Sequence, residues 1–249
     1  MSHINNYLNI VKDKLTFLAE DQQQNINQVA NKLADVIRQG GIIYFFGCGH
    51  SHIFGEDVFY RAGGLAPVRP ILIEPLMLHE GAARSSKLEK QNNYILPYLV
   101  DYKITEKDAL IVISTSGINP VPIDVAQWGR QHGAYTVAIT SSVYADTFQS
   151  KHISGQHLRD CADQVIDNNV PIGDAVLKAS EQEPPFSPIS SMLGIFLVQG
   201  IFAEVIFNLS EEQCSLPIFL SGNIPDSDKH NLDLINQYGG RIPELINGL

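Results

Sequence analysis

Two stretches of this chain change character abruptly in the same way, and together they restrict the folds open to it. Residues 42–56 read IIYFFGCGHSHIFGE, and residues 109–123 read ALIVISTSGINPVPI. Each opens on a short run of consecutive apolar residues, then passes into glycine, hydroxyl and other small polar side chains, with a helical pattern behind. A strand with one face in water alternates apolar and polar residues, whereas a strand covered on both faces has no polar position. The two runs therefore predict strands buried on both sides, as in a parallel sheet whose right-handed crossovers lay helices on its two faces.

The rest of the chain fits that plan. Strand candidates lie at 42–46, 69–73, 109–113, 135–139 and 164–167, and helical patterns separate most of them at 51–62, 84–99, 120–132 and 188–209. Ahead of them, Ile4, Tyr7, Leu8, Val11, Leu15 and Leu18 recur at helical spacing. Ile26, Val29, Leu33, Val36 and Ile37 resume it, and Gly40–Gly41 stop it. The expected fold is α/β and doubly wound: a mainly parallel five-stranded sheet flanked by helices, with a long N-terminal helical region. A length of 249 residues suits one domain over 1–249, with helices at 1–39, the α/β core at 40–220 and a tail at 221–249 that holds a turn, a short helix and a Gly stop. The polar stretches 141–163 and 176–188 read as loops on one rim.

Charge narrows the partners. The formal net charge is −10 and no Lys/Arg-rich block occurs, which argues against a nucleic-acid surface and a polybasic membrane anchor. The apolar stretch 192–209 carries Gln199, Gly200, Glu204 and Asn208, so it reads as a buried helix rather than a membrane span. Three cysteines, Cys48, Cys161 and Cys214, form no CxxC pair and no zinc spacing, and the N-terminus lacks the pattern of a signal peptide; a cytoplasmic location is expected.

An acidic chain can still hold an anion. A turn at the C-terminal end of a parallel strand exposes free N–H groups at the next helix, where the helix dipole also favours negative charge. In the first turn Gly49, His50, Ser51 and His52 supply that chemistry. In the second, Ser114, Thr115 and Ser116 add hydroxyls, Gly117 allows close backbone approach, and Asn119–Pro120 suits a helix N-cap and first position. Two such turns facing each other would cradle one phosphate; taken singly, each is also an ordinary capped turn. Neither is a dinucleotide fingerprint, and no GxxxxGK[ST] occurs, so no cofactor is expected.

The combination of GCGHS after the first strand and STSG, then Asn, before a helix resembles the sugar isomerase (SIS) phosphosugar-binding domain, over about residues 30–249. The long N-terminal helix is similar to that of phosphoheptose isomerase-like members, and HSHIFGEDVFYRAGGL with the tail GN…D…HN resembles stand-alone SIS proteins. The resemblance implies a phosphorylated sugar as ligand, a cradle of Ser51, Ser114, Thr115, Ser116 and Asn119, and a homodimer or higher homo-oligomer with a shared site. It also implies aldose–ketose isomerisation by a Glu and a His. Two positions depart from the pattern. Ile118 stands where the glucosamine-synthase type has Glu after SxSG, and Arg61 stands where the phosphoheptose type has Glu. The remaining proton-transfer candidates are Glu56, one turn beyond His52, Glu80 in MLHEGAARSSKLE, and His230 in the tail. A phosphosugar sensor and a lyase acting on a lactyl ether stand as alternatives to the isomerase. A zinc site of His50, His52, Glu56 and His79 competes with the phosphate for the first turn, and Cys48 is either a nucleophile or a buried strand-end thiol.

Overall fold

The computed structural model describes residues 2–211 and 215–246; Cys214 lies outside the described residues. The chain begins with α1 (His3–Asp21) and α2 (Gln23–Arg38) and enters the sheet at β1 (Ile43–Gly47). A 3-10 turn over Gly49–His52 runs into α3 (Ile53–Val58), followed by β2 (Val68–Ile71), α4 (Ala82–Leu88) and α5 (Leu96–Leu99). Next come β3 (Ala109–Ile113), α6 (Pro120–Gln131), β4 (Tyr135–Thr140), α7 (Ser142–Thr147) and β5 (Gln164–Asp167). A small hairpin of β6 (Ala175–Leu177) and β7 (Phe186–Pro188) leads to α8 (Ser190–Ser210) and α9 (Ser227–Tyr238).

The five strands β2-β1-β3-β4-β5 lie in that order, all parallel, with Ile43 opposite both Val68 and Ala109. The continuous apolar runs sort by the two-residue period of a strand. Ile43 and Phe45 of β1, with Ala109, Ile111 and Ile113 of β3, face the core beneath α2 and α8. Ile42, Tyr44, Phe46, Leu110 and Val112 face a second core with α6 and α9. Phe45 packs edge-on against Phe202 of α8 at 5.7 Å between ring centres. Burying each such side chain contributes about 1.5–3 kcal/mol, and here both faces of the sheet contribute. By length and composition α8 could cross a membrane; in the fold its Leu193, Leu197, Ile201 and Val205 are buried in the first core.

Four expectations change. The helix expected over 51–62 ends at Val58, and Tyr60 then takes a left-handed φ of 46°. The pattern at 84–99 is two short helices, because Asn93 turns left-handed at φ 62° and Pro97 opens the second. The stretch 141–163, expected as loop, contains α7, and 176–188 contributes to the antiparallel β6–β7 hairpin. Elements of six and three residues are too short to show a period in sequence.

Candidate functional site

The order of the strands makes the site. From β1 the chain steps outward to β2, then returns to place β3 on the other flank of β1. The strand order reverses between β1 and β3, and crevices beyond the carboxyl ends of strands at such a switch point are where ligands bind in open α/β sheets. The turns that leave these two neighbouring strands are 48–52 and 114–119. They wall one cavity of about 290 Å³ that contains Gly49, His50 and Ser51 from the first, and Ser114, Thr115, Ser116 and Asn119 from the second.

The second turn is held rigidly from outside. Ser114 N–H donates to Ile139 O at 3.1 Å, Ser141 N–H to Thr115 O at 3.0 Å, Leu158 N–H to Gly117 O at 2.9 Å and Lys151 N–H to Ile118 O at 2.9 Å. Within it Gly117 N–H donates to Ser114 Oγ at 3.3 Å. Gly117 has φ +60°, and a Cβ there would lie 2.5 Å from Thr140 Oγ1, so both conformation and space demand glycine. Asn119 is the N-cap of α6 and Pro120 fills its first position, yet the Asn119 side chain does not cap the helix. Its Nδ2 donates to Glu89 Oε1 at 2.9 Å, and its Oδ1 is buried without a partner.

Glu89 is the residue that sequence reading missed. It follows the last residue of α4 and lines the cavity together with Ser85 and Ser86. Burial pushes its carboxyl above the ordinary carboxylate value; the bond from Asn119 and the charges of Lys90 and Lys151 pull the other way without cancelling the burial. Glu89 and Ser85 stand four apart at the end of a helix, a spacing that gathers them on one face, and that was the available signal. Tyr144, Asp174 and Ser190 complete the wall. Asp174 caps α8, accepting from the N–H groups of Ile189 and Ser190 at 3.0 and 2.8 Å and from the Ser190 hydroxyl at 2.5 Å. Cys48 also borders the cavity, but burial, with the charge of Glu89 added, pushes its thiol well above the ordinary value. It is therefore a neutral, weakly reactive thiol, not an activated nucleophile.

The other expected residues lie elsewhere. His52 turns its Nδ1 back onto the Gly49 carbonyl and holds its Nε2 3.7 Å from Glu56, whose carboxylate is half exposed. The shared face of His52 and Glu56 thus exists, but Glu56 does not line the cavity, because Phe54, Gly55 and Val58 are the buried residues of α3. Glu80 stands 3.9 Å from His79, both largely in solvent. His230 donates from Nε2 to the Ile218 carbonyl at 2.8 Å, pinning α9 to the segment that bridges Leu65. Within one chain Glu56, Glu80 and His230 therefore stay apart from the cavity. Among the described residues no three His, Cys, Asp or Glu side chains gather where they could hold a metal; His52 and His79 stay 6.5 Å apart between ring centres.

Fold and crevice together define a parallel α/β protein with a hydroxyl-lined cavity at its switch point. Comparison with known proteins makes this specific. The model of the SIS domain matches residues 6–141, and the chain belongs to that family. A UPF0309 protein of Halalkalibacterium halodurans is 48% identical over 242 residues, which cover 97% of each chain, and one of Listeria innocua is 46% identical over 97% of this chain and 98% of its own. Among solved structures, a phosphoheptose isomerase of Neisseria gonorrhoeae shares the fold with a TM-score of 0.52 over 81% of this chain and 96% of its own, at 12% identity.

Proposed function

We propose that this protein binds a phosphorylated sugar, with the phosphate between the turns 48–52 and 114–119, and isomerises it between aldose and ketose by moving a proton between C1 and C2. The observation that carries this reading is a half-buried carboxyl, Glu89, in the same cavity as the paired hydroxyl turns. A phosphate at the N-terminus of the twelve-residue α6 meets the hydroxyls of Ser114, Thr115 and Ser116 and the positive end of the helix dipole. The first turn of α6 adds no free N–H, since Pro120 and Pro122 carry none and Val121 N–H donates to Glu89 O at 3.2 Å. Glu89, bonded to Asn119 at the end of the turn 114–119, borders the same cavity, so a sugar held there meets its carboxyl. A carboxyl raised by burial is closer in basicity to a carbon acid's needs than a solvated one. Glu89 thus takes the part that sequence reading gave to Glu56 and Glu80.

A non-catalytic sensor is the second reading, favoured by one observation. Asp174, the other carboxylate in the cavity, is engaged in capping α8, so among the described cavity residues the remaining acid–base candidates are His50 and Tyr144, whose hydroxyl already accepts from Gly173 N–H at 2.7 Å. We further propose a homo-oligomer. Ile4, Leu8 and Phe17 on α1 and Phe207 on α8 are exposed apolar side chains that a second copy would cover.

A thermal-shift screen over sugar phosphates identifies the ligand, because a ligand bound only by the folded state raises apparent stability. Exchange of the C2 proton in deuterated water then separates catalyst from sensor. Glu89→Gln should lower that exchange by about 10²–10⁴-fold while leaving ligand affinity nearly unchanged. Undiminished exchange in Glu89→Gln would remove it from the chemistry.

A further inference from the structure

Beside the cavity, outside its wall, sits a buried ionisable pair that the proposed chemistry does not use. The side chains of Asp124 in α6 and His152 in the loop after α7 are only 3% and 4% exposed, with Asp124 Oδ1 3.0 Å from His152 Nε2. The ring's protonation follows from its other nitrogen. Ser154 N–H donates to His152 Nδ1 at 3.1 Å, so Nδ1 carries no proton and Nε2 donates to Asp124. Ser154 Oγ lies 2.7 Å from the same Nδ1 and accepts from Gln156 N–H at 3.2 Å. The serine is thus a local turn residue on an occupied nitrogen, not a nucleophile with a free base.

The pair connects the two halves of the site. Asp124 Oδ2 accepts from Asn93 N–H at 2.7 Å, and Asn92 Oδ1 accepts from Ile153 N–H at 2.8 Å. Asn93 ends the turn that follows Glu89 and holds the left-handed φ that splits the helix there. From the other side, the loop that carries His152 donates Lys151 N–H to Ile118 O and Leu158 N–H to Gly117 O. One carboxylate and one imidazole therefore join the turn behind Glu89, the helix that begins at the phosphate turn, and the loop that braces that turn. Two buried ionisable groups are weak evidence for stability, since an apolar pair of similar volume is often as good or better. Their value lies in register.

We infer that Asp124 and His152 are positioning residues, a buried clamp that keeps Glu89 in register with the phosphate turn. The inference rests on the reading of Glu89 and the cradle given above, but its structural part can be tested without it. Peptide-resolved hydrogen exchange compares wild type with Asp124→Asn and His152→Ala. The Asp124→Asn change is isosteric, but an amide cannot accept from both Asn93 and His152 as the carboxylate does. Both variants should speed exchange in segments 89–95 and 150–156 together, by about tenfold or more, while β3 keeps its protection. Faster exchange in 150–156 alone would overturn the clamp and leave His152 a local loop residue. In the functional arm, C2 proton exchange should fall by about 10–10²-fold while the affinity for inorganic phosphate stays within about threefold. His152→Gln, whose amide can still donate to Asp124, should recover most of the loss. Parallel loss of phosphate affinity and exchange, with no recovery in His152→Gln, would reduce the pair to general stability and overturn the proposal. If wild type exchanges no C2 proton, the proposed isomerisation falls, and the hydrogen-exchange result alone decides for or against the clamp.

Discussion

The two glycine–hydroxyl turns look alike in sequence and differ in construction. The turn after β3 is half buried, is braced by backbone bonds with Ile139, Ser141, Lys151 and Leu158, and feeds a twelve-residue helix that begins at Asn119–Pro120. The turn after β1 is more open, with His50 exposed, and feeds a single 3-10 turn and then the six-residue α3. The longer helix sets the larger dipole behind its turn, but Pro120 and Pro122 carry no N–H and Val121 N–H is taken by Glu89 O, so donation to an anion falls to the hydroxyls of Ser114, Thr115 and Ser116. On the function proposed above, the second turn would anchor the anion through its braced hydroxyls, and the first would be the adjustable wall opposite it. Motif similarity alone would weigh them equally; the bracing and the helix behind each turn separate them.

The strongest way to break this comparison is at the glycines. Gly117 and Gly49 both have left-handed φ, +60° and +55°, so alanine is strained at either, by about 1–2 kcal/mol. Only at Gly117 would the new Cβ meet an obstacle, Thr140 Oγ1 at 2.5 Å; at Gly49 the nearest atom is Leu78 Cδ2 at 3.8 Å. Gly117→Ala should lower stability by about 2–4 kcal/mol in denaturant titration and abolish phosphate binding, because the braced backbone has no room to shift. Gly49→Ala should lose no more than the conformational strain and keep measurable binding. Equal losses at the two positions would erase the distinction between anchor and wall.

Serine substitutions sharpen the same contrast at smaller amplitude. Ser116→Ala should weaken sugar-phosphate binding by about 1–3 kcal/mol, the scale of hydrogen bonds to a charged group. Ser51→Ala should cost less, about 0.5–1.5 kcal/mol, the range of an ordinary hydrogen bond, because its turn can adjust. Calorimetry on both variants with one ligand decides the order, and a larger loss at Ser51 would reverse it. An unphosphorylated sugar that binds wild type as tightly as its phosphate would remove the cradle altogether.

What sequence could and could not reveal follows from the same physics. β1 and β3 are buried on both faces and carry continuous apolar runs, so they announce themselves, and a parallel sheet with its switch-point crevice follows from them. The Asn119–Pro120 junction marks a helix start by residue chemistry alone. The cavity's other wall has no such signature. Glu89, Tyr144 and Asp174 come from a short helix, a six-residue helix and the base of a hairpin, elements whose position is decided by tertiary packing. Glu56 illustrates the limit in the other direction. Its spacing from His52 correctly predicts a shared helix face, and the structure places its carboxylate, with Nε2 of His52 3.7 Å away, half in solvent. His230 was legible as a polar tail residue, but not that its imidazole is committed to the Ile218 carbonyl. Spacing predicts which side chains share a face; it does not predict which face the core will claim.

The smallest expected effect concerns Glu89 and pH, and it tests whether the open side of the cavity buries a charge at all. Burial raises the Glu89 carboxyl above its ordinary value of 4.5. The unfolded chain therefore ionises this group at lower pH than the folded one, and between those two points the unfolded state holds fewer protons than the native state. Stability from this group is fully present below about pH 4.5 and declines as pH rises through the folded-state value. Glu89→Gln carries no ionisable group, so it should gain stability relative to wild type as pH climbs out of the acid range and then hold a constant difference. The measurement is a pair of denaturant titrations on wild type and Glu89→Gln at acid and neutral pH. A difference that grows in the opposite direction would mean that the bond from Asn119 and the charges of Lys90 and Lys151 outweigh burial. Glu89 would then be an ordinary ionised carboxylate, which is a poorer proton acceptor but a better partner for the N–H of Asn119. Saturating phosphate in the second turn should enlarge the effect, since a bound anion near Glu89 further disfavours its ionised form. Phosphate that leaves the pH dependence unchanged would place the anion beyond electrostatic reach of Glu89, and the proton-transfer reading would lose its geometry while the anchor remained.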